Sequence, residues 1–385
     1  MPFAMKINII GNVVNFGYNL AKFLEEDGHE VKLFLFDKGF ERDLPQWEHD
    51  SVAMPSWVVK HPGRVANRPL FPWFRIIRGM RQCDVVISTG AYETILAART
   101  GRPHIFWSMG GDLDTTPFST ANIHVRFCSF LLRNIFRRCR YVVYSMPFQA
   151  LTSIQRLHLI NAVLLPVPWD TDLYKKLPAE EAWNLLPLDL KPYDLIVFAP
   201  ARHQIDPTRY HYKGNEQILF AFRDFATQYQ GKACLVFTRH GEFWHTEKLA
   251  KDLNINNSVV FIDMLNKQAL KALCSLPQTV VCDQFPQYPR SGLGFIGTET
   301  LLCEGVLITA WDHDILGKIY DAQPPVFYAR ETSEIKNRIV QVSRLSKEQR
   351  EVLGKTGREW AIRYHSKEIV MPRFESLLRK VCPAG

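Results

Sequence analysis

Nowhere in the 385 residues is there a run of about eighteen apolar side chains, and the opening Met-Pro-Phe-Ala-Met-Lys leads into a strand-like segment with no signal h-region. The reading is a soluble protein, expected to be cytoplasmic, or peripheral on the inner face of the cell membrane. The eight cysteines, at 83, 128, 139, 234, 274, 282, 303 and 382, contain no Cys-x-x-Cys pair and no Cys/His group at metal-ligand spacing. They are expected to be reduced core residues, with no metal site. Low-complexity tracts, internal repeats and nucleic-acid recognition modules are also missing, so nucleic acid is not an expected partner. Acidic residues are scarce in one region, where positions 55–160 hold fourteen Lys/Arg against four Asp/Glu, an excess of ten. That imbalance points to an anionic partner.

What is present is globular: 46% hydrophobic and 22% charged residues, in a chain long enough for two domains. Short β-rich runs alternate with helical stretches, the pattern of parallel sheets covered on both faces. A first series contains Lys6–Ile10, a helix around Tyr18–Leu24, then Glu30–Leu35, Asp84–Ser88, His104–Trp107, Tyr141–Ser145 and Ala162–Leu165. A second contains Leu195–Phe198, a helix from about Asn215 to Tyr229, then Ala233–Phe237, Val259–Ile262, Thr279–Cys282 and Val306–Thr309. Between them Pro166 to Pro192 is rich in proline and charge and lacks a long periodic pattern, which marks an interdomain connection. After Glu331 the chain reads as helical. Two doubly wound domains in tandem are expected to face a cleft at the carboxyl ends of their strands. Within the basic region, Phe71–Arg81 and Val125–Arg140 mix aromatic and basic residues at helical spacing, as a helix resting on an anionic membrane would, or as a core helix whose arginines sit in water.

The densest chemical signal is Ser291-Gly-Leu-Gly-Phe-Ile-Gly-Thr-Glu299-Thr-Leu-Leu-Cys-Glu-Gly-Val-Leu-Ile-Thr-Ala310, a glycine turn, a helix with a carboxylate and a buried strand. Glycines let the backbone approach phosphate oxygens, first-turn N–H groups face the anion, and the carboxylate can accept from ribose hydroxyls. Taken alone, the same residues describe an ordinary loop entering a buried helix.

Together with four other phrases the segment resembles the retaining family-4 glycosyltransferases of GT-B fold, from about residue 5 to about residue 380. Pro166-Val-Pro-Trp-Asp-Thr-Asp-Leu-Tyr-Lys175 is similar to the family's linker phrase, and Ala201-Arg202-His203 followed by Lys213-Gly is similar to its Gly-Arg and Lys-Gly, with a longer gap. Phe106-Trp-Ser-Met-Gly-Gly-Asp-Leu113 lies where many members have His-Gly-x-Asp, and Gly357–Ser366 resembles the approach to the last helix. The resemblance implies the α/β GT-B class, two Rossmann-like doubly wound domains facing an interdomain cleft. It places an acceptor-side domain at 1–170, with a C-terminal helix at about 366–385 packing back on it. A linker follows at 171–192, and a nucleotide-sugar-binding domain at 193–365.

It also implies roles. Arg202 and Lys213 are expected to bind the donor diphosphate, the arginine by a two-oxygen grip and the lysine as a point charge; alone, each would read as a surface charge. Glu299 is expected to hold the ribose, against the plain alternative of a carboxylate near a helix N-terminus. Gly292, Leu293 and Gly294 with Phe295 are expected to present N–H groups to the diphosphate or sugar. Ser291 replaces the first glutamate of the family pair, and Asp283 or Gln284 is the expected substitute. Gly11-Asn-Val-Val-Asn-Phe-Gly17, where the spacing is not the Gly-x-Gly-x-x-Gly of dinucleotide folds, falls where the family has its acceptor and donor-phosphate loop. Asn12 and Asn15 are its polar members, and a plain strand-to-helix turn explains it as well. At Gly110-Gly-Asp112 the family histidine is Met109, and Asp112 is either an acceptor-orienting group or a helix cap. His124 and His203 have no spacing that singles out a base.

The expected activity is a retaining, metal-independent, hexosyltransferase-like enzyme moving a sugar from a nucleotide-diphosphate sugar to a glycan or lipid-phosphate acceptor, in cell-surface polysaccharide or glycolipid synthesis. The nucleotide sugar is a co-substrate, and no cofactor is expected. The alternative is a catalytically silent nucleotide-sugar-binding subunit, motivated by Ser291 and Met109. A sugar-nucleotide epimerase of the same build is disfavoured by Lys213-Gly, the linker phrase and the Glu299 segment.

Overall fold

Buried parallel strands need apolar side chains on both faces, and the sequence supplies them in two separate sets. In the computed structural model, which describes residues 4–36, 43–47, 54–62, 73–209, 212–286 and 292–382, the first set is β1 (Lys6–Ile10), β2 (Glu30–Phe36), β3 (Val58–His61), β4 (Val85–Thr89), β5 (His104–Ser108), β6 (Tyr141–Tyr144) and β7 (Ala162–Leu164). They form one parallel sheet in the order β3-β2-β1-β4-β5-β6-β7. The second set is β8 (Leu195–Ala199), β9 (Ala233–Thr238), β10 (Val259–Ile262), β11 (Thr279–Cys282), β12 (Val306–Thr309) and β13 (Phe327–Tyr328). Its order is β10-β9-β8-β11-β12-β13, again parallel throughout. Central strands such as β4, β5 and β8 are buried at every residue.

Two strands were not expected, β3 and β13. Both lie at sheet edges and are only partly buried, so neither carries the continuous apolar run that announces a central strand. The helix expected over about 215–229 ends at Ala226. Three helices, Thr332–Ser343, Lys347–His365 and Lys367–Val381, account for the chain after Glu331.

The chain divides into two compact units, residues 1–169 with 367–385, and 170–366. In the first unit the final helix is fixed by packing of Phe374 on Trp107 and by Glu375 paired with the buried His29 at 2.8 Å. Residues 170–192 lie in the second unit. There the Arg358 guanidinium donates to three carbonyls, those of Tyr174, Leu302 and Thr171, and Lys271 donates to the Leu173 carbonyl at 3.1 Å. The proline-rich phrase is thus held by side chains that sequence periodicity does not reveal. All eight cysteines are unpaired, seven of them buried, and burial pushes the thiols of Cys139, Cys234 and Cys274 up to about 12.

Candidate functional site

A parallel sheet that winds outward in both directions leaves a crevice where the order reverses, at the carboxyl ends of the two central strands. In the second unit those strands are β8 and β11. Arg202 and Lys213 follow β8, while Asp283 and Gln284 are the first residues past β11, and the fold brings all four together. Lys213 Nζ donates to Gln284 Oε1, and Gln284 Nε2 donates to the Gly292 carbonyl at 2.7 Å. One glutamine therefore ties the lysine to the glycine turn. The lysine's own backbone accepts from Phe285 N–H at 2.9 Å. The next residue, Gly214, has φ +74°, and a Cβ there would lie 2.7 Å from the Phe285 carbonyl oxygen. Only glycine lets the chain pass so close and still begin the helix Asn215–Ala226.

Charges in this cluster are strongly coupled. Burial pushes the Lys213 ammonium down, the Asp283 carboxylate pushes it up, and the Arg202 guanidinium pushes it down again. Asp283 is 4% exposed. Burial raises its carboxyl to about 6, against the opposing pull of Lys213 and of the Gly294 N–H. A carboxylate of the chain itself thus lies close enough to a cation and to a glycine-turn amide to feel both, two groups able to hold an anion. Arg202 Nε donates to His240 Nε2 at 3.3 Å. His203 is no base candidate: it is buried, its Nδ1 lies 2.8 Å from Thr246 Oγ1, and burial lowers its imidazolium to about 4.

The helix Phe295–Leu302 starts at the glycine turn, with Gly294 as its N-cap. Gly297 through Leu302 are all buried, because neighbouring elements cover the helix on every side. Glu299 is fully buried at 0% exposure, and its Oε1 accepts from Lys267 Nζ. Lys267 opens the helix Lys267–Ser275, capped by Asn266, whose Oδ1 accepts from Ala269 N–H at 2.9 Å. Leu293 packs against Gly297. Ser291 lies outside the described residues.

In the first unit the corresponding reversal lies between β1 and β4, and Gly11 sits there. Its φ is +97°, and a Cβ would stand 1.9 Å from the Thr89 carbonyl oxygen. The turn consumes its own polar groups. Asn12 Oδ1 accepts from Tyr18 N–H at 2.7 Å, and Asn12 Nδ2 donates to Asn15 Oδ1 at 2.9 Å. Gly17 packs directly under the Gly11 carbonyl. Asn12 and Asn15 are 7% and 0% exposed, so both side chains build the loop. Val14 and Asn15 adopt left-handed φ of 51° and 60°, an uncommon backbone for a β-branched residue. Replacing Gly11 by alanine is expected to destabilise the first unit by roughly 2–4 kcal/mol, read as an earlier urea transition; an unchanged midpoint would show that the loop relaxes freely.

Asp112 sits at the start of the short helix Gly111–Asp114. Its Oδ1 accepts from Ser108 Oγ at 2.6 Å and Leu113 N–H at 2.9 Å, and its Oδ2 accepts from Met109 N–H at 3.1 Å. Burial still raises its pKa, with those hydrogen bonds opposing. Met109 thus contributes its backbone here. Two neighbours of the site were not anticipated, His240 and Lys267. His240 lies just past β9, the strand beside β8, so a basic residue at that strand end was the available signal. Lys267 had none, since its pairing with Glu299 spans 32 positions. Among the described residues no group of three or more His, Cys, Asp and Glu is placed to hold a metal ion.

No protein-family model matches the chain, and no curated protein matches it. Solved structures do. Sucrose-phosphate synthase from Thermosynechococcus elongatus is 14% identical with TM-score 0.70, covering 99% of this chain and 100% of its own. HepE from Anabaena, in complex with UDP-glucose, is 14% identical with TM-score 0.71, covering 98% and 100%. A UDP-forming alpha,alpha-trehalose-phosphate synthase from Burkholderia xenovorans is 13% identical with TM-score 0.65, covering 99% and 100%. The chain has the GT-B fold of these glycosyltransferases.

Proposed function

We propose that the protein is a glycosyltransferase that uses a nucleotide-diphosphate sugar. The observation that carries this reading is the meeting of Arg202, Lys213 and the Gly292–Gly294 turn at the β8/β11 reversal. Departure of a nucleoside diphosphate builds negative charge on its terminal phosphate, and fixed cations with helix-start amides offset that charge without reorganising. Glu299 is assigned to the ribose hydroxyls, and Asp283 with Gln284 to the donor end of the site in place of the missing family glutamate. The Gly11–Gly17 turn and Asp112 are assigned to the acceptor side. There they act through backbone and helix-start groups, since their side chains are engaged internally.

The chemistry in this reading is front-face substitution with retention. The bond between the anomeric carbon and the phosphate oxygen breaks, the acceptor oxygen bonds to that carbon on the same face, and the leaving phosphate takes the hydroxyl proton. Arg202 and Lys213 supply the positive charge, so the proposed reaction draws on no metal or resident cofactor. The acceptor class is a glycan or a lipid-phosphate, for which the basic first unit is suited. A panel of nucleotide sugars, UDP-glucose among them, tests the reading by ligand-dependent melting and slow donor hydrolysis. A ligand that binds only the native form stabilises it by RT ln(1 + [L]/Kd) and so raises the melting point, and a panel that neither binds nor is hydrolysed would end the proposal. The silent-subunit reading, favoured by Met109, expects binding without hydrolysis, with or without acceptor.

Asp283 adds a pH dependence. Its folded pKa, about 6, lies above the ordinary 3.8. Its contribution to stability is therefore fully present below pH 4 and is lost as pH rises through 6, on the order of 3 kcal/mol in all. UDP-glucose is a diester of diphosphate with no ionisation in that range. Its affinity is expected to rise several-fold between pH 7.5 and 5.5, as protonation of Asp283 removes a negative charge from beside Lys213 and the Gly294 amide. Asp283→Asn should flatten both profiles, and isothermal titration at the two pH values checks it; equal slopes in the two proteins would remove the coupling.

A further inference from the structure

Helix Ile123–Arg138 is apolar on two opposite faces. Cys128, Leu132 and Phe136, four residues apart, form the buried face together with Ser129, packing against the helix Ala91–Ala98 in the cluster that includes Ile95 and Phe106. Helical spacing places Ile123, Phe127 and Phe130 on the strip directly opposite. These three are 82%, 49% and 54% exposed. A helix that merely covers a core turns polar residues outward, and this one turns two phenylalanines and an isoleucine. At its C-terminal end a fourth apolar side chain, Ile160, is fully exposed, on a turn joined to the helix by Asn161 Nδ2, which donates to the Phe136 and Cys139 carbonyls at 3.1 and 2.6 Å.

The flanks of the outward strip select the partner. Arg126, Arg133, Arg137 and Arg138 lie on the helix and Arg140 just beyond it, and the helix contains no Asp or Glu. Among the described residues none of these five arginines pairs with a carboxylate; Arg126, Arg133 and Arg137 donate instead to backbone carbonyls of Thr120, Pro117 and Leu157. No helix of the described residues is long and apolar enough to cross a membrane. An apolar strip edged by cations of a single sign fits the boundary layer of an anionic bilayer, where rings enter the acyl region and guanidinium groups stay among phosphates. A second copy of the chain would bring the same five cations against themselves.

We propose that the helix Ile123–Arg138 docks the protein onto an anionic lipid bilayer, inserting Ile123, Phe127 and Phe130 between arginine-contacted headgroups. The docking is separate from the transfer reaction and does not depend on it. The test is flotation of the full chain with vesicles of phosphatidylcholine alone or with 40% phosphatidylglycerol by design, at low and high salt, comparing wild type with the double substitution F127S/F130S. Wild type is expected to float with the anionic vesicles at low salt and to be released by high salt as the surface attraction is screened. The double variant should bind on the order of a hundredfold less, with an unchanged melting temperature because both rings are exposed in the folded protein. Failure of wild type to float with anionic vesicles at low salt overturns the proposal. Equal flotation of the variant, or salt-independent binding to phosphatidylcholine alone, overturns it as well. So does a wild-type dimer in sedimentation that the double substitution dissociates, since a second copy would then be the occupant.

Discussion

Alanine at Arg202 or at Lys213 is expected to cut donor turnover by on the order of a hundred- to a thousandfold each, the scale on which single preorganised charge-stabilising groups act. Folding stability should move far less for Arg202→Ala, because that side chain is half-buried and its hydrogen bond to His240 is long at 3.3 Å. Arg202→Lys should recover little, since a lysine cannot reproduce the planar two-oxygen grip. The measurement is hydrolysis or transfer with UDP-glucose or whichever donor the panel selects, beside a thermal melt of each variant. Wild-type turnover in both alanine variants would dismantle the phosphate clamp, whatever the fold.

Lys267→Met should have the largest effect on stability. Glu299 is fully buried and Lys267 pairs with its carboxylate; removing one partner of a buried pair typically costs about 3–5 kcal/mol, because a buried charge is left with less compensation. The loss should appear in the unfolding transition of the second unit. Glu299→Gln in the same chain should recover much of it, since a neutral amide needs no counter-charge, and the double-mutant cycle isolates the pair. Binding separates the structural from the functional role. Wild type should prefer a ribose over a 2′-deoxyribose nucleotide, and Lys267→Met should narrow that preference by freeing the carboxylate from a fixed orientation. A variant that is destabilised yet keeps full ribose discrimination would leave Glu299 a purely structural group.

How much of this was legible depended on whether the signal was local. Central strands such as Val85–Thr89 and Leu195–Ala199 announce themselves because burial on both faces forces an apolar run. Arg202, Lys213, Asp283 and Gln284 were legible as a group because each stands next to a recognisable strand end or helix start. The lysine's tie to Gly292 through Gln284 was not, since it joins residues 71 positions apart. Asn12 and Asn15 look available in sequence, and nothing there says that Val14 and Asn15 take left-handed backbone or that both asparagine side chains are spent on the turn. For Ile123–Arg138, periodicity identified the amphipathic helix, but with apolar residues on both sides only the packing could say which face is covered.

The distribution of thiols has a practical consequence. Cys83, Cys128 and Cys139 are sealed inside the first unit, and Cys234, Cys274, Cys282 and Cys303 inside the second. An alkylating reagent can reach any of these seven only when its surroundings open, so each sulfur keeps time for the breathing of its own half. Peptide mass fingerprints of a pulse-labelled sample would read the opening of the two halves separately, with no engineered probe.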